Sequence, residues 1–374
     1  MRILIFIYSL GNGGAERVAA NLANHWAKTG KEVIIVTLAP QSHDSYRLDP
    51  AIRRISLELA VNSNHILAGL FNNIRRIAAL RKLLRQLRPD IALGMMSTAN
   101  VLLSLAAWGL PNLRTIGAEH IHPPKMSMGY AWTTIRKIAY GLLNAVTVLT
   151  GKTRNWIEKN TDAKEVFVIP NPINWPLVSE SPRIEPRAIC PPNRHILLAV
   201  GRLHMQKGFD WLIESFCRLA PKYPDWDLVI LGEGLQRGQL ETLISESGFD
   251  ERIFLPGQTG NVGEWYDIAD VFVMSSRFEG FPNVLVEAMG YGLPVVSFDC
   301  DTGPGDIIRN DYDGLLVPAD DVAALTASLD KIMGDPALRL RLAQQALEVR
   351  TRFSPEKIAE MWEDLFLKLL SKQI

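Results

Sequence analysis

Two separate runs of strand–loop–helix alternation, each opening on an apolar strand that feeds a glycine turn, limit what this chain can fold into. The first starts at residues 1–9 (MRILIFIYS), passes through Gly11-Asn12-Gly13-Gly14-Ala15-Glu16 and a helix to about residue 29, and returns in an apolar strand at 31–38 (KEVIIVTL). The second restarts at 195–200 (HILLAV), turns at Gly201 and enters another helix. Near-continuous apolar strands alternating with helices predict parallel sheets covered on both faces. Between the two runs, residues 178–193 are rich in proline and lack periodicity, as an interdomain linker would be. A chain of 374 residues has room for two such cores. The expectation is therefore an α/β protein with domains at 1–172 and 173–353, and an amphipathic last helix, 354–374, capped at Ser354.

The turns after the strands carry the chemistry. The first glycine loop approaches the form that brings backbone N–H groups close to a phosphate. A dinucleotide-binding fingerprint would need glycine where Glu16 stands, and an acid where the second strand ends in Thr37-Leu38-Ala39-Pro40. An NAD-dependent oxidoreductase rests on this loop alone. In the second run, Gly201-Arg202-Leu203-His204-Met205-Gln206-Lys207-Gly208 sets two cations five residues apart at the mouth of a sheet. A guanidinium can grip two oxygens of a diphosphate while an ammonium adds a point charge, although two solvated surface cations would look the same. Residues 274–305 then lead from a strand (270–274) through a loop into a helix whose first N–H groups form an anion site. Pro282 and Asn283 suit its start, Pro at N1 and Asn at or near the N-cap, though not both in fixed roles. Glu279 falls in the loop and Glu287 about two turns along the helix. Spacing alone is equally compatible with two surface glutamates.

Other stretches are read from composition and position. Residues 1–172 hold 21 Lys+Arg against 10 Asp+Glu, and the remainder 19 against 30, so the first half suits an anionic partner. Residues 70–88 contain no acid. Ile77, Leu80, Leu83, Leu84 and Leu87 share one helical face, with Arg75, Arg81, Lys82, Arg85 and Arg88 on the other. That basic face either solvates itself or is held to anionic lipid or to a diphosphate-linked lipid acceptor. Residues 91–110 are uncharged but interrupted by Gly94, Ser97, Thr98 and Asn100, so a strand and a helix are expected rather than a membrane span. The apolar run at the N-terminus is short for a secretory signal and reads as a first strand. A strand at 115–120 ends in Glu119-His120, which aims a histidine at the ligand crevice of an open sheet. Three scattered cysteines, Cys190, Cys217 and Cys300, fit a reducing compartment and argue against a zinc site. Asp299-Cys300-Asp301 has the Asp-x-Asp form of a metal motif from a different transferase fold, but reads better as part of a crevice loop with Thr302-Gly303-Pro304.

The string Glu279-Gly280-Phe281-Pro282-Asn283-Val284-Leu285-Val286-Glu287, with Ala288-Met289-Gly290-Tyr291-Gly292-Leu293-Pro294 after it, resembles the signature of the retaining glycosyltransferases of family 4 (group 1). Gly201-Arg202-Leu203 with Lys207-Gly208 matches the same family. The resemblance spans nearly the whole chain, is more specific in the second half, and is nearest to bacterial polysaccharide and lipid-linked glycan enzymes. It implies the GT-B fold: two Rossmann-like, doubly wound domains facing across a cleft, with the last helix crossing back to the first. It implies that Gly13 and Gly14 lie against the donor diphosphate and sugar, and that His120 contacts the donor. Arg202 and Lys207 would neutralise the leaving diphosphate in place of a metal. Glu279 would position the sugar and Glu287 bind the ribose. Gly201, Gly232, Gly257, Gly280, Phe281, Pro282, Asn283 and Val284 complete the donor site, with no cofactor. The implied reaction is retaining transfer of a hexose or N-acetylhexosamine from a UDP-sugar to a glycan on a polyprenyl diphosphate. The expected location is cytoplasmic, peripheral at the inner face of the membrane, with segment 70–88 on anionic lipid and no nucleic acid as partner. A non-catalytic nucleotide-sugar-binding module is the remaining alternative.

Overall fold

The computed structural model describes residues 1–11, 13–61, 66–125 and 129–372. Asn12 of the first glycine loop, and Gln373 and Ile374 of the expected last helix, lie outside the described residues. The chain divides into two compact units, Met1–Pro172 with Pro355–Ile374, and Ile173–Ser354.

In the first unit, seven strands form a parallel sheet: β1 (Arg2–Ile7), β2 (Glu32–Thr37), β3 (Arg53–Ser56), β4 (Ile91–Met95), β5 (Arg114–Glu119), β6 (Ala145–Val148) and β7 (Val166–Val168). Their spatial order is β3-β2-β1-β4-β5-β6-β7. Chain direction across the sheet reverses between β1 and β4, so a crevice opens beyond their carboxyl ends. The apolar strands are buried on both faces. Ile3, Ile5 and Ile7 pack on one side with the helix Gly14–Lys28, and Leu4 and Phe6 on the other with the helices Ile66–Leu87 and Ser97–Ala107.

The last helix, Pro355–Ser371, completes the first of these layers. Ile358, Trp362, Leu365, Phe366 and Leu369 line its inner face. Trp26 meets Trp362 edge-on with ring centroids 6.2 Å apart and Phe366 at 5.2 Å. Each such side chain, fully buried, contributes roughly 1.5–3 kcal/mol. The ion pair Lys31–Glu363, at 2.7 Å, lies at the rim. The last helix thus belongs to the first unit.

The second unit carries six parallel strands: β8 (His195–Val200), β9 (Trp226–Leu231), β10 (Ile253–Gly257), β11 (Val271–Met274), β12 (Val295–Asp299) and β13 (Leu315–Pro318). Their order, β10-β9-β8-β11-β12-β13, again reverses beside its first strand. Leu197, Ala199, Leu228, Ile230, Val271 and Val273 pack beneath the helices Phe209–Leu219 and Val322–Gly334 in one core.

Three expectations need correction. The stretch 178–193 is not a loose linker but a strap on the second unit. Asn261, 1% exposed, accepts from the Ile184 N–H and donates to the Ile184 carbonyl, and Glu180 N–H bonds Gly260 O at 2.9 Å. Prolines suit it because each removes one N–H that would need a partner. At residues 282–283 the helix Asn283–Gly290 has Pro282 as its N-cap, with no side-chain cap, and Asn283 as its first helical residue. Proline precedes asparagine here, so N-cap Asn followed by N1 Pro could not both hold. On the helix Ile66–Leu87 the apolar stripe faces in as expected, but Arg81 is not a solvated cation: it donates to the carbonyls of Ala106 and Trp108 at 2.8 and 2.7 Å.

The uncharged stretch 91–110 forms β4 and the helix Ser97–Ala107. Among the described residues no helix is long and apolar enough to cross a membrane.

Candidate active site

In the second unit the site grows from two strands that are neighbours in space but far apart in the chain. β8 ends in the turn 201–208 and β11 in the loop 275–282. Because β8 and β11 are adjacent and parallel, both loops leave the same edge of the sheet. Ser275 Oγ donates to Lys207 O at 2.9 Å, Arg277 N–H to Gln206 O at 2.8 Å, and Gln206 Nε2 to Phe278 O at 2.9 Å. Arg277 also donates to both carboxylate oxygens of Asp210 and stacks on Trp211, its guanidinium 3.6 Å from the ring centroid.

The stitched loops present Lys207 to Glu279. Lys207 Nζ lies 2.6 Å from Glu279 Oε1, with side chains only 15% and 7% exposed. Ser276 Oγ donates to the same oxygen at 2.7 Å. Thr302 Oγ1 donates to the Glu279 carbonyl, so the loop after β12 fixes the backbone behind the carboxylate. Arg202 is exposed and, among the described residues, has no hydrogen bond or ion pair. One cation is thus neutralised within the protein and the other is open to an anion.

The turns behind them are interlocked. Gly201 N–H bonds Leu231 O and Gly232 N–H bonds Gly257 O, each at 2.9 Å, so Gly201, Gly232 and Gly257 meet where β8, β9 and β10 end. Gly232 has φ +143°, and a Cβ there would sit 1.9 Å from Gly201 O. Only glycine fits such a backbone approach. The Lys207 stem runs across Gly201, 3.1 Å from where a Cβ would be.

Past Glu279, Gly280 O lies against Gly303, and Phe281 is buried edge-on to Phe353 at 5.5 Å. Glu287 is 3% exposed on the helix Asn283–Gly290. Tyr266 Oη stands 3.4 Å from its Oε2 and 3.3 Å from Val284 O. Tyr266, Ser276 and Asn261 were missed in the sequence. Ser276 could have been found three residues before Glu279 in the same loop, whereas Tyr266 carries no local signal.

In the first unit, Gly13 caps the helix Gly14–Lys28 beyond β1, and Tyr46 Oη donates to its carbonyl at 3.0 Å. The Glu16 carboxylate folds back onto Gly13, where a Cβ would lie 2.0 Å from Oε2. The N-terminal turn of this helix therefore already faces a carboxylate. His120 follows β5. Among the described residues neither of its ring nitrogens has a partner in good hydrogen-bond geometry, and burial lowers its pKa to about 4, with the nearby Asn171 side chain opposing. Beside it, Glu119 is 2% exposed and accepts from Ser97 Oγ at 2.9 Å and from Tyr140 Oη. Burial raises the Glu119 pKa, and those two donors and Arg136 oppose it. Met96, between β4 and Ser97, has φ +79°. For a non-glycine residue this costs on the order of 1–3 kcal/mol, a strain common at functional sites. Among the described residues no cluster of three or more His, Cys, Asp or Glu side chains could hold a metal ion, and that includes Asp299 and Asp301.

Two family descriptions divide the chain between them. "Glycosyltransferase Family 4" matches residues 12–174 and "Glycosyl transferases group 1" matches residues 182–349. The chain belongs to the family 4 glycosyltransferases. This family 4 glycosyltransferase is 29% identical to an amylovoran biosynthesis glycosyltransferase of Erwinia amylovora, over 97% of this chain and 99% of that one. It is 27% identical, over 100% and 99% of the two chains, to a Campylobacter jejuni enzyme named as an α-1,4-N-acetyl-D-galactosaminyltransferase acting on a diphospho-undecaprenol-linked glycan. It is also 32% identical over 79% of its length to a Streptomyces coelicolor exopolysaccharide phosphotransferase, of which it spans only 30%. Among solved structures, sucrose-phosphate synthase from Thermosynechococcus elongatus superposes with a TM-score of 0.83 at 21% identity, covering 100% of both chains. Anabaena HepE, in complex with UDP, does so at 0.78 and 17% identity, covering 98% of this chain and 100% of that one. These likenesses establish the GT-B fold. They leave the oxidoreductase reading of the first glycine loop without support.

Proposed function

We propose that this glycosyltransferase moves a hexose or N-acetylhexosamine from a UDP-sugar, with retention, to a growing glycan on a polyprenyl diphosphate in bacterial surface-polysaccharide or glycan synthesis. The observation that carries the donor chemistry is the Lys207–Glu279 pair beside an open Arg202 at the carboxyl ends of β8 and β11. Two cations and a helix N-terminus suit a diphosphate, and a carboxylate behind them suits sugar hydroxyls. The UDP bound by the Anabaena neighbour favours uridine, and the undecaprenol-linked substrate in the Campylobacter relative's name favours a lipid-carried acceptor.

In the proposed reaction the acceptor hydroxyl attacks the anomeric carbon on the face from which the diphosphate departs. The bond from that carbon to the diphosphate oxygen breaks, the new glycosidic bond forms, and the hydroxyl proton passes to the leaving phosphate oxygen. Negative charge grows on the diphosphate, so pre-placed Arg202, Lys207 and the first N–H groups of the helix Asn283–Gly290 lower the barrier. They do the work that a metal does in other transferases. Glu279 holds the sugar through its hydroxyls, Glu287 the ribose, and His120, neutral at physiological pH, takes part as a hydrogen-bonding group. Gly13 and Gly14 approach the diphosphate only if the Glu16 carboxylate moves off that turn. On this reading the protein works at the cytoplasmic face of the membrane that carries its acceptor.

Thermal unfolding with UDP, GDP, ADP or NAD, each with magnesium or EDTA, tests the donor half. A ligand at a hundred-fold excess over its Kd stabilises by about 2.7 kcal/mol. The expected result is a shift with UDP that survives EDTA. A shift with GDP alone would overturn the choice of donor, and a shift that EDTA abolishes would overturn metal independence.

A further inference from the structure

Glu279 has two carboxylate oxygens, and the protein directs both of its side-chain donors to one of them. Lys207 Nζ and Ser276 Oγ reach the same Oε1, at 2.6 and 2.7 Å. Among the described residues Oε2 accepts no hydrogen bond, and it is not sealed from solvent. An ionised carboxylate accepts through both oxygens, so this arrangement leaves half of its capacity facing outward.

The local fold explains how the asymmetry arises. Ser275 and Ser276 follow directly on β11, and successive residues of an extended chain point to opposite sides. The two serines, each 1% exposed, therefore serve different partners. Ser275 Oγ donates to Lys207 O at 2.9 Å, and Ser276 Oγ to the carboxylate three residues further on. Gly208, at φ +62°, lets the lysine turn press against Ser275, since a Cβ there would lie 2.1 Å from Ser275 O. Thr302 Oγ1 holds the Glu279 carbonyl from the other side. With the backbone fixed on both flanks, the aim of the Glu279 side chain is left to the two donors on Oε1.

Those two donors respond differently to an incoming anion. Lys207 is a cation on a flexible stem and is drawn towards a diphosphate. Ser276 is neutral, short and buried, so it stays where it is. We propose that Ser276 is a positioning residue. It holds Oε1 while the donor diphosphate draws Lys207 away, and so keeps Oε2 turned towards the hydroxyls of the transferred sugar. Without it, the carboxylate would follow the departing ammonium or be pushed aside by the arriving negative charge. The serine itself touches no substrate. The inference rests on the donor reading given above and adds to it one residue and one atom.

A double-mutant cycle of Ser276→Ala and Glu279→Ala tests it. Turnover is read as UDP released from a panel of UDP-hexoses and UDP-N-acetylhexosamines with water as acceptor, and nucleotide affinity by isothermal titration with UDP. Ser276→Ala leaves the Glu279 charge in place, so UDP should bind within about twofold of wild type. Turnover should nevertheless fall about tenfold, as the loss of a charge-assisted hydrogen bond implies. Glu279→Ala leaves no carboxylate to aim, so adding Ser276→Ala to it should change turnover by less than about twofold. A serine that merely supports the loop would lower turnover by the same factor in both backgrounds. Equal factors, or wild-type turnover in Ser276→Ala, would overturn the proposal. Wild-type turnover in Glu279→Ala would overturn the sugar-positioning role of Glu279 and this proposal with it. If the wild-type protein releases UDP from none of the panel, the choice of UDP-sugar falls instead, and the same cycle is read on GDP- and ADP-hexoses.

Discussion

Glu279→Gln separates what Glu279 does for the protein itself from what it does for a donor. Its carboxylate neutralises Lys207 at 2.6 Å and accepts from Ser276 at 2.7 Å. Glutamine keeps an acceptor oxygen of the same reach but removes the charge. The fold should lose roughly 1–2 kcal/mol, the difference between a charge-assisted and a neutral hydrogen bond at a mostly buried site. For a diphosphate approaching Lys207, the same carboxylate is a like charge at about 5 Å, which opposes binding by ~3 kcal/mol at an effective dielectric of 20 and ~0.8 kcal/mol in water. UDP should therefore bind about 4- to 160-fold more tightly to Glu279→Gln, while sugar transfer falls by about a hundred-fold or more. Isothermal titration with UDP reads the first effect and turnover with donor and acceptor the second. UDP carries no transferred sugar, so a loss of affinity could not come from a missing sugar contact. A tenfold weaker UDP complex would therefore refute the competition, and turnover close to wild type would refute the sugar-positioning role.

Gly232→Ala should destabilise by about 3 kcal/mol or more in urea, since its Cβ would meet Gly201 O at 1.9 Å on a backbone at φ +143°; an unchanged midpoint would contradict the interlocked turns. Asn261→Ala should cost about 2 kcal/mol through the stranded Ile184 backbone groups and speed tryptic cleavage at Arg183, measured by limited proteolysis. His120, with its pKa lowered to about 4, adds stability that is full above the unfolded value of about 6.5 and is lost as pH falls towards 4, on the order of 3 kcal/mol in all. Glu119, raised by burial, acts in the opposite direction above about pH 4.5, so the quantity to measure is the stability difference between wild type and His120→Asn across this range. That difference should shrink as pH drops from 6.5 to 4, and a flat one would mean the imidazole is not desolvated.

What could be seen in the chain beforehand divides along a physical line. Strands such as 1–9 and 195–200 announce themselves because a parallel strand buried on both faces needs an unbroken apolar run, and the turns after them because close backbone approach needs glycine. Lys207 and Glu279 were readable as loop residues for the same reason. Their contact was not, since it spans 72 residues and depends on β8 and β11 being neighbours, which is a property of strand order rather than of either loop. Tyr266 and Asn261 act through one side-chain group each, at positions where many polar residues would give the same local pattern. The strap at 178–193 read as a linker because its own hydrogen bonding is sparse, and the partners that fix it sit around Asn261, far along the chain.

The outer face of the helix Ile66–Leu87 shows a different limit. Periodicity found its buried stripe, because burial selects apolar residues every three or four positions. The same reasoning treats every apolar residue as a candidate for the core, and so it left Leu70 unexplained and gave no role to Leu67, Phe71 and Ile74. The structure leaves all four more than half exposed. An apolar strip that folding does not bury is retained at a cost in solubility, which makes it the part of this helix that most needs an external partner.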